Sequence, residues 1–171
     1  MEAPILSVIT TIYNCDKYLR EAMDSVLAQS YGDFEWIIVN DGSQDNCSEI
    51  VRSYKDDRIT FIDSKDNKKI PHRRNDAILF ARGKYIAIQD GDDISLPDRF
   101  KYQLSFMEKH DVFCVGAWSS KIDENSKSMD EIMNYPPSSH ESIIATLVYK
   151  CLNPIIDPTS FFRRDFFLAS G

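Results

Sequence analysis

Residues 84–100 read KYIAIQDGDDISLPDRF, an apolar run that stops on Asp90 and is followed closely by Asp92 and Asp93. Carboxylates this close repel one another, so the cluster calls for a compensating cation. Three chemistries use such a pattern. An EF-hand calcium loop is excluded, because Ile94 stands at the fifth loop position, Ser95 replaces the glycine at the sixth, and Lys101 falls where the bidentate acid belongs. A phospho-accepting aspartate is disfavoured, since such sites want acids after the first strand and this chain has TTIYNC there. A divalent ion gripping a nucleotide diphosphate needs hard oxygen donors, only one or two of them from the protein. Asp90-Gly91-Asp92-Asp93 offers these, with Gly91 for a tight turn. A solvated strand-to-helix loop is the plain alternative, because negative charge near a helix N-terminus is favourable in itself. The tetrapeptide alone does not separate these last two.

Bulk properties narrow the field. The chain has 171 residues, 43% hydrophobic and 27% charged, which suits one folded unit with a proper core. A net charge of −7 argues against nucleic acid as a partner. No stretch approaches the roughly 18 apolar residues of a membrane span. The opening MEAPILSVITTIYN lacks the charged start and small-residue cleavage site of a signal peptide. Cys15, Cys47, Cys114 and Cys151 form no CxxC pair, so scattered buried thiols are expected rather than a zinc site. Reduced thiols in turn point to the cytoplasm.

The elements that must position the acids alternate in type. Strands are expected over 5–13, 35–40, 58–63, 84–89 and 111–118, from runs rich in β-branched and aromatic residues. Between them lie helical patterns. The first presents Tyr18, Leu19, Ala22, Met23, Val26 and Leu27 as one stripe, with Asn14 as its cap. CSEIVRSY is a short helix, and HRRNDAILFA is another that Gly83 stops in a C-cap position. Pro97 opens PDRFKYQLSFMEKH. Beyond residue 118, SSKIDENSKSMDE reads as a hairpin or surface loop, and SSHESIIATLVYK as a helix capped by Ser138 or Ser139. TSFFRRDFFLASG begins as a strand and then stops. Alternation of this kind implies an α/β fold, a mostly parallel sheet with helices on both faces. Ligands bind such sheets at the carboxyl ends of the strands. Thr11–Asn14, Asp41–Ser43 and Asp90–Asp93 all fall at that edge. No GxGxxG or GxxxxGK[ST] is present, so dinucleotide and P-loop sites are excluded.

Taken together, SVITTIYN, the QSY of VLAQSYGDF, the NDGS of IIVNDGSQDN, RRNDAILFARG, DGDDISLPDRF and the later NPIIDPTSFFRRDFF resemble the nucleotide-binding half of family 2 glycosyltransferases, inverting enzymes of the Rossmann-like GT-A fold. The resemblance runs in order over roughly residues 5 to 165. It implies a nucleoside diphosphate sugar as donor, a UDP-sugar first among them, and Mn2+ or Mg2+ as cofactor. Thr11 and Tyr13 would line the nucleoside pocket. Asp41 would accept the uracil N3–H, although a turn-forming Asp is common in such loops. Arg74, with Lys69 as a weaker candidate, would approach the nucleotide. Asp90 would face the ribose or the metal, and Asp92 would bind the metal with Asp93 beside it.

The resemblance places the catalytic base beyond Gly171, so residues 1–171 are expected to be one GT-A unit truncated before the base and acceptor segment. Asp165 matches a non-catalytic position, and Asp157 stands where the family often has His. The acceptor is expected to be a glycan or lipid-linked sugar in a capsule, lipopolysaccharide or exopolysaccharide pathway. Location would be cytoplasmic or at the inner face of the membrane, with peripheral membrane association through the full-length protein. Two other readings stay open. One is a nucleotidyltransferase-like enzyme, which lacks its usual glycine-rich basic stretch here. The other is a non-catalytic nucleotide-sugar-binding module.

Overall fold

The strands expected from the sequence assemble into one sheet. A computed structural model describes residues 3–133, 137–150 and 155–169. β1 (Leu6–Ile12), β2 (Phe34–Asp41), β3 (Ile59–Ser64) and β4 (Tyr85–Ile88) are parallel neighbours, and the six-stranded order is β3-β2-β1-β4-β8-β5. β5 is Cys114–Val115 and β8 is Phe161–Arg163. Every residue of β1, β2 and β4 is buried, which explains their nearly unbroken apolar runs: both faces are covered.

Side chains alternate across the sheet, so each strand feeds two cores. Leu6, Val8, Trp36, Ile38 and Ala87 pack under α1 (Asp16–Leu27), α2 (Cys47–Ser53) and α4 (Arg99–His110). Ile9, Ile37, Val39, Ile86 and Ile88 pack under α3 (Ile70–Phe80), with Phe162 and Phe167 beside them. Thr11 and Asp41 share the α3 face by the same alternation, and Asp90 follows β4 onto it. Apart from the sheet, β6 (Ser119–Ile122) and β7 (Ser128–Met133) form the expected hairpin, and α5 (His140–Lys150) is capped by Ser139, whose Oγ accepts the Ser142 N–H at 3.2 Å.

Several local expectations are corrected. Asn14 does not cap α1. It adopts φ 50°, and its Oδ1 accepts the Gln44 N–H at 2.8 Å. The free Asp16 N–H is taken instead by Asp45 Oδ2 at 2.9 Å, a cap supplied from the next loop. Gly83 is not a helix cap either, since α3 ends at Phe80 with Ala81 extended. Pro97 precedes α4, whose cap is Asp98. The strand expected over 111–118 shrinks to two residues, because β8 enters between β4 and β5, antiparallel to both. The chain then turns at once into α6 (Arg164–Ala169).

Gly83 is needed for close approach. Its N–H donates to Ser7 Oγ at 2.9 Å, and an added Cβ would lie 2.6 Å from the Ser7 backbone nitrogen. Gly83→Ala should therefore cost about 1–3 kcal/mol through a forced backbone shift. At Gly32 nothing lies within 4 Å of such a Cβ, so Gly32→Ala should stay within about 0.5 kcal/mol of the parent. Urea unfolding of both variants checks the contrast, and equal stabilities would refute it.

Candidate functional site

The loops after β1, β2 and β4 meet at one edge of the sheet. After β2, Asn40 Oδ1 accepts from both the backbone N–H and the hydroxyl of Ser43, at 3.0 and 2.6 Å, which shapes the NDGS turn. Gly42 lies at φ 77°, and a Cβ there would come within 3.0–3.2 Å of the backbone of Lys65, Asp66 and Asn67. The 65–69 loop can therefore lie directly on the turn.

Asp41 is the residue that holds that loop. It is 1% exposed and accepts the Lys68 and Lys69 N–H groups at 2.7 and 2.9 Å and Arg73 Nε at 2.9 Å. This is more than a turn-forming Asp would do. Arg73, which sequence reasoning passed over for Arg74, is itself buried and also donates to the Asp66 carbonyl and carboxylate at 2.6 and 2.9 Å. Burial works to lower its pKa, but the bonds to Asp41 and Asp66 raise it above the usual arginine value. Its i, i+4 spacing to buried Ala77 was the available signal. Lys69 joins the site through its backbone, at φ 74°, while its side chain is exposed.

On β1, Thr11 is 8% exposed and its Oγ1 is buried with no hydrogen-bond partner among the described residues. Such a hydroxyl is costly unless something completes it. Tyr13 is exposed nearby in sequence. Beneath these loops Cys15 and Cys47 touch, sulfur to sulfur 3.8 Å, so the thiols are not all scattered. Cys151 lies outside the described residues. Burial pushes the Cys15 thiol far above its usual range, with Cys47 adding to the effect.

The acid cluster is pressed against the start of α1. A Cβ at Gly91 would lie 2.8 Å from Ile12 Cγ2 and 3.0 Å from Cys15 Sγ. Gln89, also missed in the sequence, ties the loop together: its Nε2 donates to the Asp90 and Asp93 carbonyls, and its Oε1 accepts from Ser95 and Arg99. Arg74 is far from solvated. Only 16% of its side chain is exposed, with Nη2 3.2 Å from Asp90 and Nη1 2.6 Å from Asp157. Asp157 begins the 3-10 turn before β8. Asp165 sits elsewhere, paired with Arg163 at 3.1 Å.

Burial pushes Asp90 up to about 6; Arg74 opposes the rise, while Asp93, Asp157 and Asp92 reinforce it. Asp93 is raised for similar reasons, by burial and then Asp92. A divalent cation would relieve this crowding, and its preferred donors are the carboxylate oxygens present here. Among the described residues no three His, Cys, Asp or Glu side chains are grouped to hold a metal. An ion there would take one or two carboxylates from the described residues, and other oxygens would have to complete its shell.

The family model described as glycosyl transferase family 2 matches residues 7–169. The putative glycosyltransferase EpsE of Bacillus subtilis is 44% identical over 125 residues, 71% of this chain and 45% of that protein. The O-antigen biosynthesis glycosyltransferase WbnJ of Escherichia coli is 33% identical over 169 residues, 96% of this chain and 63% of its own length. Staphylococcus aureus TarS 1-349, solved with UDP-GlcNAc, superposes with a TM-score of 0.73 at 21% identity, over 96% of this chain and 47% of that one. The mannosyltransferase PcManGT of Pyrobaculum calidifontis, solved with GDP-Man and Mn2+, gives 0.73 at 18%, over 99% and 47%. These likenesses establish the GT-A fold. The chain spans about half the length of the curated relatives it matches first.

The site predicts its own pH signature. Asp90 ordinarily titrates near 3.8 and here near 6. Between those values the folded protein keeps a proton that the unfolded chain has lost, so this group's contribution to stability falls as pH rises through that window. Asp90→Asn should thus gain stability relative to the parent, by about 2–3 kcal/mol, from about pH 4 to about pH 7. Urea unfolding at both pH values measures the difference; a flat one would show that Asp90 titrates normally.

Proposed function

Because the chain belongs to glycosyl transferase family 2, we propose that it supplies the donor site of a metal-assisted, inverting glycosyltransferase that moves a sugar from a nucleoside diphosphate sugar, in the first place a UDP-sugar, to a glycan or lipid-linked acceptor. The observation that supports this best is the convergence of Thr11, Asp41, Arg74 and the Asp90–Asp93 loop at the carboxyl ends of β1, β2 and β4. Relatives named for O-antigen and teichuronic acid biosynthesis favour a polysaccharide acceptor.

On this reading Thr11 and Tyr13 line the nucleoside. Among the described residues Asp41 Oδ2 accepts a single N–H, which leaves a lone pair for a base N–H. Lys69 shapes the loop beside the base, and Arg74 faces the phosphates. Asp92 and Asp93, with Asp90 behind them, would hold Mn2+ or Mg2+. Such an ion offsets the charge that builds on the departing diphosphate. The acceptor hydroxyl attacks the anomeric carbon from the opposite face and needs a general base. Asp157 and Asp165 are both committed to arginines, so neither is assigned that role.

Calorimetric titration of UDP in EDTA and then in manganese tests the reading. Binding should be weak in EDTA and markedly tighter with manganese, and Asp92→Asn should abolish most of the gain while leaving the melting temperature unchanged, because Asp92 is exposed. Equal affinity in both buffers would remove the metal from the reading.

The orphaned hydroxyl gives a second test. Thr11→Val removes an unsatisfied buried group, so stability should hold or rise. UDP affinity should fall by about 0.5–1.5 kcal/mol if that hydroxyl serves the nucleotide. Unchanged affinity, read by the same calorimetry, would take Thr11 out of the pocket.

A further inference from the structure

Arg74 is the most contested cation of the site. Both of its terminal nitrogens are engaged by carboxylates, Nη1 with Asp157 at 2.6 Å and Nη2 with Asp90 at 3.2 Å, while its Nε is buried without a partner among the described residues. The two acids reach it from different parts of the chain: Asp90 follows β4, and Asp157 precedes β8, 83 positions from Arg74. Asp92 and Asp93 also act electrostatically on Asp90, so the acid that Arg74 pairs with is itself crowded by like charges. Arg99, the other cation close by, gives its nitrogens to Gln89, Ser95, Gln103 and the Ile88 carbonyl. A diphosphate arriving alone would meet several carboxylates and an arginine whose two terminal nitrogens each already donate to one of them.

We propose that Asp157 is a positioning residue that withholds Arg74 from the donor diphosphate and so makes donor binding depend on a divalent ion. The proposal rests on the nucleotide-sugar reading above. The physical basis is competition for the guanidinium. A charge-assisted bond of 2.6 Å to a carboxylate is strong, and a phosphate oxygen can replace it only at the cost of leaving Asp157 uncompensated. With the Asp90–Asp93 charge offset by a cation, that cost falls, because fewer like charges remain around the ligand. Without a cation, Asp157 adds to every other repulsion. A purely structural role predicts something different: loss of Asp157 would then weaken binding equally with and without metal.

The test compares UDP affinity in EDTA and in manganese for the parent, Asp157→Asn, Asp157→Glu, Arg74→Gln, and the double variant Asp157→Asn with Arg74→Gln, each checked for its melting temperature. Asp157→Asn should bind UDP roughly tenfold tighter in EDTA, about what one released charge-assisted bond supplies. Its affinity in manganese should change less, so the manganese enhancement shrinks. Asp157→Glu should restore the parent's ratio, and the gain should vanish when Arg74→Gln is also present. An unchanged or weaker metal-free affinity in a folded Asp157→Asn protein, or a gain that persists without Arg74, overturns the proposal alone. Failure of the parent to bind UDP even with manganese overturns the donor-site reading and this inference with it.

Discussion

The ion pair between Asp41 and Arg73 is the contact on which the candidate site depends. It joins the end of β2 to the first turns of α3, and with the Lys68 and Lys69 amides it closes the 65–69 loop over the strand ends. Removing either partner would strand the other charge in a nearly dry place, which typically costs about 3–5 kcal/mol. The same geometry fixes where α3 starts and therefore where Arg74, one residue on, can reach. Arg73 faces the sheet, and Arg74 faces the acids.

Around that anchor, the loops rest on one another through contacts that leave little freedom. Asp45 caps α1 from the neighbouring loop, and Asp16 Oδ2 returns the favour by accepting Asn46 Nδ2 at 3.0 Å. Gly42 and Gly91 permit backbone approaches that a side chain would block. The acid cluster remains under electrostatic strain, with Asp90 raised despite Arg74 beside it. Perturbed carboxylates of this kind occur at functional sites and also in structural ion-pair networks. An apolar cavity of about 310 Å³ opens beside Arg74 and Asp157, toward Phe162 and Phe166.

Much of this is legible in the sequence. The apolar runs of β1, β2 and β4 are long and bounded by turn residues, so a covered parallel sheet follows from pattern alone. The polar clusters at their ends mark the candidate binding edge without reference to side-chain geometry. Local caps were less legible. Asn14 and Gly83 are residue types that commonly end helices, yet one instead binds the next loop and the other makes room for Ser7. In both cases a tertiary neighbour outcompeted the local preference. β8 lies where a strand is expected, at the start of FFRRDFF, but its place between β4 and β5, antiparallel to both, is not a property of the local pattern.

Composition, alternation and motif order by themselves determined the α/β class, the candidate binding edge and the acids that gather there, because these depend on local hydrophobic pattern and on the handedness of strand connections. Which arginine serves which acid was decided only by the tertiary structure. Arg73 and Arg74 are neighbours of identical chemistry, and nothing in their sequence distinguishes a buried partner of Asp41 from a bridge between Asp90 and Asp157. The roughly 100° turn per helical residue separates their directions. The partners waiting in those directions come from 32 residues before Arg73 and 83 residues after Arg74, a distance that only the folded chain closes.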